Sequence, residues 1–187
     1  MNIHLRMAAI VFRVARCLSD NLPGRVVFQP IFLPKIVFGE EVIVRAIFSP
    51  LYVKHGGREL KPQAFQPFPE TDEISVMRTS FLGCHFCKRK AQELEIPNNN
   101  KVYSGFAVMK VRRIRNAGCQ VVDSREEFLG HADIRTGIVT PARGISMEPE
   151  MLEKSRRISK SLVTLSTYIK DPSPTASKWK GPTLTPQ

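Results

Sequence analysis

Between Arg45 and Ile134 lie most of the side chains whose type and spacing invite a chemical reading. Cys84 and Cys87 are separated by two residues, the spacing at which two thiolates reach one tetrahedral zinc, and Cys119 and His131, or His55 or His85, are the available completing ligands. A second Cys-x-x-Cys or Cys-x-x-His pair, which would make that reading strong, is absent. A redox dithiol is the other use of this spacing. No βαβ unit surrounds it, however, and Cys87 falls on the apolar side of its predicted helix, where a thiol serves as a small hydrophobe. The expectation is no cofactor, with zinc the one metal whose ligand spacing the chain partly supplies.

His131 and Asp133 alternate on a predicted strand and so share a face, where a carboxylate orients and charges an imidazole. The same pair also describes a structural histidine at a strand end, because no nucleophile is tied to it by sequence. Arg45 interrupts the apolar run from Val42 to Phe48; unpaired burial of a guanidinium is too costly, so it must reach solvent, meet a carboxylate or line a pocket. Ser75 and Arg78 stand on another predicted strand, and with Arg45 and Lys61 they would make a phosphate-friendly cluster if the strands pair. One functional expectation is therefore an enzyme on a phosphorylated or nucleotide substrate, of ADP-ribosyl or phosphotransfer kind. Arg45, Ser75, Arg78 and His131 would line its cleft, with Asp133 beside them. The Gly-rich phosphate loop, the Gly-x-Ser-x-Gly elbow, the His-Glu-x-x-His helix and the kinase and dinucleotide fingerprints are all missing.

The formal charge of +11 points instead to an anionic partner. It is gathered in short runs: Lys88, Arg89 and Lys90; Arg112, Arg113 and Arg115; Arg156 and Arg157. Few exposed aromatics interleave with them, so phosphate contact fits better than base stacking; solvated helix faces explain the same runs. With 42% hydrophobic residues the chain can build a core, and no run approaches the roughly 18 apolar residues that span a bilayer. Four cysteines are too few for a disulfide framework, which makes a reducing, cytoplasmic setting the simpler expectation.

Elements must hold these residues in place. Val42–Phe48, Glu73–Arg78, Tyr103–Val111, Cys119–Asp123 and His131–Ile134 read as strands. Leu60 to Phe65 reads as an extended edge segment. Phe86–Leu94 reads as a helix with Cys87, Ala91 and Leu94 on one side, and residues 112–117 as one helical turn stopped by Gly118. Met151, Leu152, Ser155, Ile158, Leu162, Leu165 and Ile169 recur in steps of three and four, predicting an amphipathic helix over 148–169 that is also a candidate docking surface for a protein partner. The order predicts an α+β domain over 41–170, a largely antiparallel sheet packed on one face by two helices. Residues 1–40 read as an irregular N-terminal extension; the first 20, rich in Arg and poor in acid, fit a peripheral helix, or residues upstream of the start of the folded unit, better than a signal or transit peptide. Residues 171–187 read as a loose C-terminal tail in which Trp179 docks back.

Arg45, Gly57 to Phe65 (Gly-x-x-Leu-Lys-x-x-Ala-Phe), Ser75-Val76-Met77-Arg78, Cys87-Lys88 and Gly130-His131-Ala132-Asp133 together resemble a pattern in a family of small bacterial proteins. The resemblance spans the central part of the chain, leaves the N-terminal extension outside, and implies no activity. The leading expectation is a basic intracellular binding module whose partner is nucleic acid or a nucleic-acid-associated protein, and the enzyme above is its alternative.

Overall fold

The structure, a computed structural model, describes residues 34–54, 56–95 and 101–186; the expectations for residues 1–33 and for His55 lie outside them. In chain order the elements are β1 (Val42–Pro50), β2 (Val53–Lys54), β3 (Glu59–Leu60), a 3₁₀ turn (Pro62–Phe65), β4 (Glu73–Arg78), α1 (Cys84–Glu93), β5 (Lys101–Lys110), α2 (Val111–Asn116), β6 (Gln120–Asp123), β7 (His131–Arg135), α3 (Pro149–Leu165) and β8 (Thr167–Lys170). Six strands form one sheet in the order β6-β7-β4-β1-β5-β8, and every pairing in it is antiparallel. The α+β class expected from the sequence is the class observed.

β1 is central because almost all of it is apolar, so neither face tolerates water. Its odd positions, Ile43 and Ile47, join Ile74, Val76, Ala107, Met109 and Leu162 of α3 in one cluster. Its even positions, Val44, Ala46 and Phe48, join Met77, Phe106, Val108 and Cys87 and Ala91 of α1 in another. The two main helices thus cover opposite faces of the sheet, where a shared face was expected. The reason is that α1 and α3 each carry one narrow apolar stripe, whereas a central strand with apolar residues on both faces needs cover on both sides.

A bulge shapes the β1–β5 pairing: Ile47 is opposite Gly105 and Phe48 opposite Tyr103, leaving Ser104 without a partner residue. Gly105 takes φ 151°, and a Cβ there would strike the carbonyl of Ile169, so only glycine lets β8 close this edge. β8 itself corrects the long helix expected over 148–169. α3 opens on Pro149 with Glu150 in its first turn and stops at Leu165, because Ser166 turns extended and Thr167 to Lys170, β-branched and aromatic, pair with β5 instead. The extended segment expected at Leu60 to Phe65 is likewise a 3₁₀ turn beyond Leu60, with Ala64 and Phe65 fully buried under α3.

Both ends of the domain extend past the expected limits. Val37 is buried in the α3-side core, and the Ile36 and Val37 carbonyls accept bonds from Arg78 and Arg115. The C-terminal segment is a strap, not a loose tail. Asp171 is buried, and Trp179 and Leu184 join the cluster beneath α1. Trp179 packs on Phe106 with ring centroids 5.4 Å apart, and its indole N–H donates to the Pro182 carbonyl. α1 grips the strap through backbone groups: Gln92 donates to the carbonyls of Pro174 and Ala176, and the Trp179 N–H donates to His85 Nδ1.

Candidate functional site

Arg45 and Arg78 project from the α3 face of the sheet, since Arg78 is opposite Ile43 and Arg45 alternates with Val44. Arg78 is fully buried and fully engaged. Its Nε and one terminal nitrogen donate to the two oxygens of Glu41 at 2.8 Å each, and its other terminal nitrogen donates to Asp123 at 2.5 Å. Two carboxylates around one guanidinium fork make a geometry that ties β4, β6 and the segment before β1 together. Arg45 donates to the carbonyls of Ala64 and Ser75, fastening the 3₁₀ turn to β4, and lies 5.7 Å from the Tyr52 ring centroid. Burial pushes its guanidinium below the usual arginine value, and Tyr52 opposes that shift.

Ser75, His131 and Asp133 occupy the other face, because Ser75 is opposite Asp133, and Met77, a member of the α1-side cluster, is opposite His131. The expected cleft of Arg45, Ser75, Arg78 and His131 therefore does not form. Alternation along β1 and β4 sends the two arginines to one side of the sheet and the serine and histidine to the other. His131 is 2% exposed; its Nδ1 is 3.1 Å from the Ser124 carbonyl, to which it donates, and its Nε2 lies 3.4 Å from Glu127 and 4.0 Å from Asp133. Ser124 donates its hydroxyl to Asp133, and the Phe128 ring covers the imidazole. The expected His131–Asp133 juxtaposition is present, with both side chains buried on one face of β7.

The thiols are divided in the same way. Cys84 and Cys87 open α1 on one face, and Cys119 packs in the core cluster on the other. Cys119, Cys84, Cys87 and His131 do not converge, and among the described residues no group of three or more His, Cys, Asp or Glu side chains is placed to hold a metal ion. Burial raises the Cys119 thiol above its ordinary value, as expected of a packing residue.

Of the basic runs, the first is split between interior and surface: Arg89 is exposed and Lys90 half-buried, but Lys88 is not at the surface. Lys88 is wholly buried, paired with Asp171 at 2.8 Å and donating to the carbonyls of Ser173 at 2.6 Å and Lys178 at 3.2 Å. It faces inward because the first turns of α1 meet the strap. This removes it from the expected nucleic-acid contacts. Lys90 pairs with Glu93, and Arg89 stacks on Phe86. Arg112 pairs with Glu40, and Arg115 donates to the Val37 and Val121 carbonyls.

The other two runs meet. α2 packs against α3, and Arg113 and Arg157 line a shallow trough of about 510 Å³ with Asn116, Glu153, Lys160, Ser161 and Thr164. A second trough of about 550 Å³ lies across the ridge made by Lys160 and Thr164, between α3 and the β2–β3 hairpin, and Lys54, Glu59, Ser166 and Tyr168 line it. Among the described residues neither Arg157 nor Lys160 has an acidic group within ion-pair distance. Arg156 is exposed alongside but lines neither trough. The sequence runs did not include Lys160, Ser161 and Thr164; the signal was helical spacing, since 153, 157, 160/161 and 164 form one stripe of α3.

Of the apolar residues expected to form a docking surface over 148–169, Leu162 is fully buried and Ile158 packs on the sheet-side core, whereas Met151 stays exposed. Among the described residues no helix is long and apolar enough to cross a membrane. No family model, no curated protein and no solved structure matches this chain.

Proposed function

We propose that this protein is a non-enzymatic, cytoplasmic binding module that contacts nucleic acid through the surface built by α2 and α3. The observation that carries the reading is the convergence of Arg113 with Arg157 and Lys160, more than forty residues later in sequence, on one trough lined otherwise by hydroxyls, an amide and the single carboxylate of Glu153. Cations beside Ser161, Thr164 and Asn116 suit phosphate oxygens, which take charge-assisted bonds from the former and neutral ones from the latter. The net charge of +11 supports the same reading, because it supplies the long-range attraction that brings a polyanion to the trough.

The test is fluorescence anisotropy of the purified full chain with labelled nucleic acid between about 50 and about 200 mM salt. Log affinity falls linearly with log salt if phosphates are neutralised, and Arg157→Gln lowers the slope by about one. Affinity independent of salt, or a slope that Arg157→Gln leaves unchanged, overturns the proposal.

A further inference from the structure

We infer that the partner is a B-form DNA duplex, with the C-terminal half of α3 seated in its major groove and one phosphate backbone in each flanking trough. This rests on the nucleic-acid reading above and adds to it the form of the polymer and how it lies.

Two observations carry the inference. The first is the doubling of the trough: the two depressions share Lys160 and Thr164 and no other lining residue, so this part of the helix stands as a ridge between them. An α-helix with its side chains is about 10–12 Å across, which matches a B-form major groove about 12 Å wide, and the strands bordering that groove lie on either side of the inserted helix. Each channel holds a cation for its strand, Arg113 and Arg157 in one, Lys54 in the other, with Lys160 on the ridge between. A-form RNA has a deep, narrow major groove that does not admit this ridge.

The second is the lack of a stacking platform. Single-strand binders lay bases on exposed aromatic rings. Among the described residues Phe68 is the one aromatic among the exposed large apolar side chains, and it lines neither channel. Tyr168 does line the second channel, but its hydroxyl is held by Ser104 and its ring packs against the core. The surface thus has groups for phosphates and none for unstacked bases.

The second channel also carries its own counter-charge. Lys54 is paired with Glu59 at 2.9 Å, both partly exposed. A strand seated there must compete with Glu59, so removing that carboxylate strengthens duplex binding. Neither Glu59 nor Lys54 belongs to the first channel, so the substitution leaves the lining of that channel unchanged.

The experiment compares the full-length chain and its Glu59→Gln variant by anisotropy against a short DNA duplex, one of its strands alone, and the RNA duplex of the same sequence. The expected result is salt-dependent binding at least about tenfold tighter to the DNA duplex than to either alternative. Glu59→Gln tightens it by about two- to fivefold, the scale of one exposed ion pair. Single-strand or RNA-duplex binding as tight as the DNA duplex overturns the inference and leaves the nucleic-acid reading standing. Duplex binding that Glu59→Gln leaves unchanged overturns the two-channel seating. Absence of salt-dependent binding to all three polymers overturns both proposals.

Discussion

Lys88→Met removes a buried cation that holds the C-terminal strap while keeping the length of the side chain. Lys88 and Asp171 are both fully buried as side chains and lie 2.8 Å apart. After the substitution the Asp171 carboxylate keeps the Ser173 N–H as a donor but loses its counter-charge, and the carbonyls of Ser173 and Lys178 lose theirs. Breaking a buried ion pair from one side costs about 3–5 kcal/mol, mostly the burial of the charge left behind. With a urea m-value of about 2 kcal/mol per molar, the unfolding midpoint drops by roughly 2 M. The loss is capped by the free energy of peeling the strap away, because a detached strap returns Asp171 to water. Trp179 is the only tryptophan in the chain and is 8% exposed. Its emission therefore reports peeling directly, moving to longer wavelength and becoming quenchable by iodide before the sheet unfolds. The double variant Lys88→Met with Asp171→Leu separates charge from packing, and recovers most of the lost stability if the uncompensated carboxylate is the cause. A single variant with both wild-type midpoint and wild-type tryptophan emission refutes the reasoning, as does a double variant no more stable than the single one.

Three further outcomes follow from the same geometry. Arg78→Leu leaves Glu41 and Asp123 facing each other without the guanidinium between them, and costs about 3–5 kcal/mol in chemical denaturation; a loss under about 1 kcal/mol contradicts the central role given to that fork. Burial, and then the Asp171 charge, push the Tyr103 hydroxyl well above its ordinary value, and burial raises Tyr168 as well. A raised folded value means that the folded state holds the proton more tightly; the stability this contributes is complete below about pH 10 and is lost as pH rises above it. In an alkaline titration the Tyr103 phenolate absorbance arrives together with loss of circular dichroism, and reversible ionisation of every tyrosine in a still-folded chain sinks the claim. Gly105→Ala drives a Cβ into the Ile169 carbonyl and within 2.9 Å of Lys170 Cα, so β8 shifts off the sheet edge. The expected loss is about 1–3 kcal/mol, with faster amide exchange confined at first to Thr167–Lys170; uniform exchange across the sheet would contradict it.

Local periodicity was enough to define the strands around Arg45, Ser75 and His131, the helix at Cys87, and the α+β class. Alternation and three-to-four spacing are properties of neighbours in sequence, and burial selects them residue by residue. The sequence also established the excess of cations and their grouping into runs. What it left open was which side of the sheet each residue meets, because that depends on register and on which strands become central. Arg78 and His131 lie on adjacent strands of the same sheet, yet their positions one step apart in the pleat keep them from meeting. Lys88 looked like part of a solvated cationic run and is instead interior, since only the returning strap, more than eighty residues later, supplies the carboxylate that makes its burial affordable. Arg113 and Arg157 became neighbours because α2 and α3 pack together over the same sheet face, a contact between distant segments that no local pattern encodes.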